Sequence, residues 1–134
     1  MRINLLDCTL RDGGYYNNWD FDLNLINAYL EAMASLQIDF VEIGFRSLKN
    51  DGFNGGVAYS TDSYLNKIEI PSELNDKIGV MVNGSEIANP ETQTSCLKKL
   101  FNPKSESRIS LVRIACHLNE FKNCLPASIW LKEK

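Results

Sequence analysis

Four short apolar segments alternate with four predicted helices, and this alternation constrains the fold more than any other feature of the sequence. Predicted strands occupy residues 2–9, 38–45, 77–83 and 109–117, and predicted helices occupy 21–37, 61–68, 92–100 and 119–134. Nearly continuous apolar strands that alternate with helices are typical of a parallel sheet covered by helices. The sequence therefore predicts an α/β fold of four parallel strand–helix units.

The length of the chain indicates how these units are arranged. A complete (β/α)8 barrel needs about 250 residues, or roughly 31 per unit, so the 134 residues correspond to four units. We therefore predict that residues 1–134 form a single domain, the N-terminal half of a (β/α)8 barrel, and belong to a longer chain. A complete four-stranded α/β sandwich is the alternative that length leaves open.

Composition excludes several classes of function. With 14 Lys and Arg against 17 Asp and Glu, the net charge of −3 gives no electrostatic reason to bind nucleic acid or an anionic membrane. No apolar run approaches the ~20 residues of a membrane helix, and no signal peptide is indicated. The four cysteines, which form no metal-binding spacing, predict reduced thiols and a cytoplasmic location; they are Cys8, Cys96, Cys116 and Cys124.

The strongest local motif is DCTLRDGG, at residues 7–14, where the first predicted strand ends. Barrel enzymes place their active sites at this end of the strands. The carboxylate of Asp12 suits a hard divalent cation, and the guanidinium of Arg11 can hold a carboxylate or stabilise an enolate oxygen. A solvated Arg–Asp pair at a turn is the alternative interpretation.

Strand alternation places a set of polar residues on one face of the predicted sheet. Buried charges are costly unless they are paired, so we expect a compensated network in which Glu42 pairs with Arg11 or Arg113. A buried ion network with a structural role alone is the alternative. The residues predicted to share this face are Asp7, Thr9, Arg11, Phe40, Glu42, Gly44, Met81, Asn83, Arg113, Ala115 and His117.

Other candidates follow the same strands. His117 is the only histidine and lies at a strand end, three residues before Glu120, so it is a catalytic candidate with a structural role as the alternative. An aromatic cluster after the glycine pair either lines a substrate pocket or packs as a hydrophobic plug over the first helix. It comprises Tyr15, Tyr16, Trp19 and Phe21. Cys8 and Cys116 are expected to pack beneath the helices, and residues 47–60 form a Gly-rich loop of the functional or mobile type.

Three segments carry a family resemblance. LLDCTLRDGG, at residues 5–14, resembles the first-strand signature of the metal-dependent aldolase and acyltransferase superfamily, which includes 4-hydroxy-2-oxovalerate aldolase, hydroxymethylglutaryl-CoA lyase, and the isopropylmalate and homocitrate synthases. IDFVEIGFRS, at 38–47, resembles its second strand, and VRIACHLNE, at 112–120, resembles the fourth strand of the hydroxy-oxovalerate aldolase branch. The three matches occur in order along almost the whole chain.

The resemblance implies a TIM barrel with a divalent metal, Mg or Mn, at the carboxyl ends of its strands. It makes Asp12 a metal ligand, and Arg11 the group that stabilises the enolate of a pyruvate-like species. Glu42 would orient Arg11 or a metal-bound water. The implied reaction is reversible carbon–carbon cleavage at a 2-oxo acid, in which the metal acts as a Lewis acid.

Further residues complete the candidate site. We predict substrate-binding roles for Tyr15, Tyr16 and Asn83, and a catalytic role for His117. The implied substrate is a small 2-oxo acid or aldehyde.

The sequence departs from the family pattern at two points. The family takes two further metal ligands from a His-x-His pair on the seventh strand, whereas this sequence contains one histidine. The catalytic histidine of the aldolases after the RDG turn is replaced by the stretch Gly14-Tyr15-Tyr16-Asn17. We therefore expect these residues to be inactive alone and to need the C-terminal half of the barrel as a partner.

Three alternatives remain open from sequence. The first is an acyl-CoA-dependent synthase of the same superfamily, and the second is a non-catalytic α/β binding module. The third is a structural fragment that associates with a second chain or forms a homo-oligomer, because the open edges of a four-stranded parallel sheet would otherwise be exposed.

Overall fold

The computed structural model describes residues 3–49 and 52–134, and these form a four-stranded parallel sheet in the order β1-β2-β3-β4. The strands are β1 (Leu6–Asp7), β2 (Phe40–Phe45), β3 (Ile78–Asn83) and β4 (Leu111–Ala115). Each strand pairs with the next one along the chain, so every connection crosses over through helical structure. The predicted α/β fold of four parallel strand–helix units is confirmed.

Helices occupy the connections between the strands. They are α1 (Thr9–Gly13), α2 (Leu23–Ala34), α3 (Asp62–Leu65), α4 (Gly84–Ile87), α5 (Gln93–Leu100) and α6 (Phe121–Lys132). The predicted helices correspond to α2, α3, α5 and α6, each within a few residues of its predicted bounds. Asp22 caps α2 as its sequence position predicts, because its side chain accepts a hydrogen bond of 2.8 Å from the backbone N–H of Asn24. Among the described residues, no helix has both the length and the apolar character needed to cross a bilayer.

The first strand is much shorter than the predicted 2–9, of which residue 2 lies outside the described residues. The chain leaves the sheet after Asp7, whose carboxylate accepts hydrogen bonds from the backbone N–H and the hydroxyl of Thr9. The N–H of Asp12 then donates to the carbonyl of Cys8, which closes a helical turn. Arg11 therefore lies on α1, and its predicted place on a strand face is wrong.

Asp7 faces the opposite side of the sheet from its predicted position. It is in register with Val41, which is fully buried beneath the helices, and partners in a parallel ladder share a face. Its carboxylate accepts a hydrogen bond from the hydroxyl of Tyr29 on α2. Asp7 thus anchors α2 to the sheet, and it is not part of the polar face to which the sequence pattern assigned it.

A β-bulge in β2 changes the alternation of side chains along that strand. Glu42 pairs with Gly79 and Gly44 pairs with Val80, so Ile43 is an additional residue that β3 does not match. After the bulge, Phe45 reaches the face that carries Glu42, because its ring lies under the guanidinium of Arg11. Simple alternation predicted that Phe45 and Glu42 lie on opposite faces, and that prediction is wrong.

The bulge also brings a loop close to the sheet. A side chain at Gly44 would meet the carbonyl oxygen of Val57 at 2.0 Å, so the glycine permits the chain at 56–58 to pack directly on β2. Val57 is fully buried in this contact. Within the predicted loop 47–60, residues 50 and 51 lie outside the described residues.

The hydrophobic core lies between the sheet and the helices. Its fully buried side chains include Ile26 and Leu30 from α2, and Val80 and Val82 from β3. The other face of the sheet carries several polar and charged side chains, among them Glu42, Asn83 and Arg113. In a half barrel this second face is the barrel interior, and the candidate site therefore forms there.

The contact between Asp7 and Tyr29 predicts how stability depends on pH. Partial burial acts to raise the pKa of Asp7, but the hydrogen bonds from Tyr29 and Thr9 outweigh it and hold the pKa below its ordinary value. The stabilisation is therefore present above the unfolded-state pKa of about 3.9 and is lost as the pH falls through the folded-state value. We expect Asp7→Asn to flatten the acid limb of the stability profile, measured by urea unfolding between about pH 6 and 3.

The matched control is Asp76→Asn, which removes an exposed carboxylate. Its profile should run parallel to that of the unsubstituted protein. Equal acid slopes for Asp7→Asn and the unsubstituted protein would contradict the role assigned to Asp7.

Candidate active site

Glu42 is the centre of the polar face. Its side chain is 0% exposed and accepts hydrogen bonds from two arginines. The Nε of Arg11 lies 2.5 Å from Oε1, and the Nε of Arg113 lies 2.5 Å from Oε2. The prediction that Glu42 pairs with Arg11 or Arg113 is confirmed, and the structure shows that it binds both.

Arg11 is held from three directions at the carboxyl end of the sheet. Besides Glu42, it contacts the carboxylate of Asp12, with Nη1 at 2.8 Å from Oδ1, and its guanidinium carbon lies 5.8 Å from the ring centroid of Phe45. The side chain is 11% exposed. A guanidinium carries five N–H donors, so these contacts leave donors for a bound anion or enolate oxygen.

Arg113 approaches Glu42 from β4 on the other side. It makes a second hydrogen bond to Glu42, from Nη2 to Oε1 at 2.7 Å, which gives the two-point geometry in which arginine binds carboxylates most strongly. The hydrogen bonds to Glu42 raise the pKa of Arg113 above its ordinary value. The two arginines, Glu42 and Asp12 together carry no net charge, which meets the requirement that a buried carboxylate be compensated.

Asp12 is the exposed member of the network. Its side chain is 57% exposed, and Oδ2 accepts a hydrogen bond of 3.3 Å from the thiol of Cys8. Partial burial, together with the hydrogen bond to Asp12, raises the pKa of Cys8, so the thiol stays protonated at neutral pH and is a poor nucleophile. Cys8 thus lies at the edge of the site, and the prediction that it packs beneath the helices is wrong.

The described residues can supply one ligand to a metal centre, but not a complete set of ligands. Asp12 offers carboxylate lone pairs to solvent, as a hard cation requires. Within residues 3–49 and 52–134, however, no cluster of three or more His, Cys, Asp or Glu side chains could hold a metal ion. A metal centre at Asp12 would need further ligands from outside this part of the chain.

An aromatic wall stands beside Arg11. Trp19 packs edge to face against Tyr15 at 4.8 Å and against Phe45 at 5.5 Å between ring centroids. Its indole N–H donates to the carbonyl of Arg11 at 2.8 Å. These three rings line a cavity of about 230 Å³ that also includes Asn83 at the end of β3. Of the predicted substrate-binding residues, Tyr15 and Asn83 therefore lie in one cavity next to Arg11.

Two predicted site residues lie elsewhere. Tyr16 is 94% exposed and does not line this cavity. His117 follows β4 at an exposed position, where its backbone N–H donates to the carboxylate of Glu120 at 3.0 Å. Among the described residues, neither Tyr16 nor His117 therefore reaches the Arg11–Glu42 network. The roles predicted for these two residues stay predictions.

Sequence reasoning named Trp19 in an aromatic cluster that either lines a pocket or covers the first helix, but it missed the place of Phe45 in the wall. Trp19 has a backbone φ of 56°, in the left-handed region that bulky residues rarely adopt. A side chain at Gly14 would meet the Trp19 ring at 1.8 Å, so the second glycine of the RDGG motif makes room for the indole. The glycine pair before an aromatic run was the available signal. No sequence signal marked the bulge that reorients Phe45.

Of the comparisons with known proteins, the one with solved structures agrees with this architecture. No protein-family model matches the chain, and no curated protein matches it. Among solved structures, the chain is similar to a protein from Bacteroides vulgatus described as the "N-terminal domain of a putative aldolase", with 32% sequence identity and a TM-score of 0.82. The match covers 98% of this chain and 41% of that one, so the chain spans about two fifths of its length. In sequence and in fold, the chain is therefore similar to the N-terminal domain of an aldolase-like protein.

Proposed function

We propose that this chain forms the N-terminal half of the active site of a metal-dependent aldolase, which cleaves or forms a carbon–carbon bond at a 2-oxo acid. The observation that carries the proposal is the fixed guanidinium of Arg11, held by the buried Glu42 beside the exposed carboxylate of Asp12. This arrangement places a rigid cation and a carboxylate ligand next to one another at the edge of the sheet where barrel enzymes react.

Each residue has a distinct part in the proposed reaction. Arg11 binds the carboxylate of the 2-oxo acid and stabilises the negative charge that develops on its carbonyl oxygen. Glu42 holds Arg11 in that orientation, so no reorganisation is needed as the charge develops. Asp12 contributes a ligand to Mg²⁺ or Mn²⁺, which when bound supplies Lewis acidity at the 2-oxo group.

The other half of the site would come from the C-terminal half of the barrel. Two features of the described chain support this. The outer edge of β4 has no neighbouring strand among the described residues. Beside it, a groove of about 410 Å³ between β4 and α6 is lined in part by Ile109, Leu111 and Leu131. A further strand and helix would cover both the edge and the groove.

Binding of the metal and of the 2-oxo acid tests the proposal. We expect the full-length gene product to bind Mn²⁺ in calorimetric titrations more tightly when oxalate, a mimic of the pyruvate enolate, is present. Asp12→Asn should weaken Mn²⁺ binding by at least about 100-fold, since even residues that only support metal ligands contribute about 10- to 100-fold. In D₂O the same protein should exchange the methyl protons of pyruvate in a Mn²⁺-dependent reaction.

Asp76→Asn is the control, because it removes an exposed carboxylate from another part of the chain. It should leave Mn²⁺ binding and proton exchange unchanged. Mn²⁺ affinity that is unaltered in Asp12→Asn would overturn the metal-ligand assignment. A full-length protein that neither binds Mn²⁺ nor exchanges pyruvate protons would favour the non-catalytic binding module.

A further inference from the structure

We infer that the cavity beside Arg11 receives a short polyhydroxylated aldehyde, a sugar-like chain, as the second partner of the carbon–carbon bond. This inference rests on the proposed function, because it assigns the 2-oxo acid to Arg11 and the aldehyde to the neighbouring cavity. It is carried by the two kinds of wall that the cavity presents, by its size and by its charge.

One wall of the cavity is aromatic. The rings of Tyr15, Trp19 and Phe45 stand edge to face, and Phe45 is shared with Arg11, whose guanidinium lies 5.8 Å from its centroid. The cavity therefore adjoins the guanidinium of Arg11 through Phe45. Aromatic rings provide a rigid apolar surface against which the C–H groups of a carbon chain pack with little entropic cost.

The rest of the cavity lining is rich in neutral hydrogen-bonding groups. It includes the amides of Asn54 and Asn83 and the hydroxyl groups of Ser47 and Tyr59. The side-chain amide of Asn83 makes no hydrogen bond to any residue in the described ranges 3–49 and 52–134. An amide has two donor hydrogens and an acceptor oxygen, so it suits a ligand with adjacent hydroxyl groups.

The backbone of the aromatic turn is held in an unfavourable conformation. Asn18 and Trp19 both have a φ of 56°. Residues in this region persist only where the surroundings fix them, and they concentrate at ligand-binding sites. Here the fixing contacts are the indole hydrogen bond to the carbonyl of Arg11 and the N–H of Gly55, which donates to the carbonyl of Asn18 at 2.8 Å. The turn therefore presents the Trp19 ring in one position.

Size and charge separate this ligand from the other classes. The cavity of about 230 Å³ is smaller than the ~300–1,000 Å³ of sites for drug-sized ligands, which suits a short carbon chain. Among the described residues that line it, Lys49 is the only one with a formal charge. A ligand recognised here is therefore chosen by hydroxyl groups and C–H surfaces more than by charge.

The proposed step is an aldol addition. A methyl C–H bond of the 2-oxo acid breaks and its proton is released, and the resulting carbon nucleophile forms a bond to the aldehyde carbon. The π electrons of the aldehyde move to its oxygen, which takes up a proton and becomes a hydroxyl group. In cleavage the hydroxyl loses its proton, the carbon–carbon bond breaks, and its electron pair returns to the 2-oxo acid, which regains a proton.

Competition between matched aldehydes tests the inference. The full-length gene product, with Mn²⁺ and pyruvate, is assayed with D-erythrose and with butanal, which have equal carbon chains. We expect kcat/KM for D-erythrose to exceed that for butanal by about 10-fold or more, since sites built to bind hydroxyl groups discriminate strongly against analogues that lack them. Asn83→Leu should reduce this ratio by about 10-fold, mainly through D-erythrose.

Pyruvate proton exchange serves as the internal control, because it needs no aldehyde. Exchange is also measured in Asn83→Leu, and a fall in the D-erythrose-to-butanal ratio that exceeds any fall in exchange assigns the effect to the aldehyde side of the site. If that variant loses exchange, Asn54→Leu takes its place. Asn75→Leu, at an exposed position, should change neither readout.

The outcomes separate the two proposals. Exchange with a preference for D-erythrose that Asn83→Leu or Asn54→Leu reduces would support the inference. Exchange with equal or greater reactivity toward butanal would overturn it and leave the proposed function standing. Absence of exchange in the unsubstituted protein would overturn the proposed function, and the inference with it.

Discussion

Replacing Glu42 with glutamine will lower the free energy of unfolding by about 3–5 kcal/mol, the cost of leaving one side of a buried ion pair uncompensated. Glu42 is fully buried and receives the Nε atoms of both Arg11 and Arg113 at 2.5 Å. A neutral amide keeps the shape of the side chain but removes the charge that both guanidinium groups require. Urea unfolding of the full-length gene product, followed by circular dichroism, measures the change.

Glu91→Gln provides the matched control. Glu91 is exposed, and the same chemical change there should alter stability by no more than about 0.5 kcal/mol. The total stability of a domain is about 5–15 kcal/mol, so the Glu42 variant should lose a large part of it. A loss below about 1 kcal/mol for Glu42→Gln would mean that the network contributes little to the fold.

The second large effect is expected for Arg11→Lys. Lysine keeps the positive charge, but its ammonium group cannot contact Glu42, Asp12 and a substrate oxygen with the geometry of a planar guanidinium. Because Arg113 still binds Glu42 at two points, we expect the fold to be retained. The rate of pyruvate proton exchange should fall by about 10²- to 10³-fold, the usual cost of removing one donor that stabilises developing negative charge.

Arg108→Lys is the control, because it makes the same arginine-to-lysine change at an exposed position. Its exchange rate should equal that of the unsubstituted protein. If Arg11→Lys retained the full rate, the stabilisation of the enolate could not be assigned to Arg11. The Glu42 and Arg11 experiments together separate stability from chemistry, because the first variant should lose much more stability than the second, whose lysine keeps the positive charge.

Much of the fold was predictable because its causes are local. Apolar runs of the right length predict buried strands, and the capping position of Asp22 predicts where α2 begins. The pairing of Glu42 was also predictable, since a carboxylate in the middle of an apolar strand must find a cation. Sequence alone could not choose between Arg11 and Arg113, and the structure shows that both are used.

The errors arise where tertiary contacts override strand alternation. The chain at 7–9 leaves the sheet because the carboxylate of Asp7 binds the backbone and hydroxyl of Thr9 and the hydroxyl of Tyr29. An apolar pattern gives no sign of such an exit. The position of Phe45 goes with the close packing of 56–58 against Gly44. The residues of β2 alone do not indicate this packing, because its partner lies in a distant loop.

The bulge at Ile43 has a consequence for exchanging segments between proteins of this fold. Glu42 and Phe45 are three positions apart and still share the barrel interior, because the unmatched residue resets the alternation. If the same four residues were paired without the bulge, the phenyl ring would lie in the helical layer, since a shift of one position reverses the face of every later side chain. The segment from Glu42 to Phe45 can therefore be transplanted only as a unit, because it includes Gly44, against which the loop at 56–58 packs.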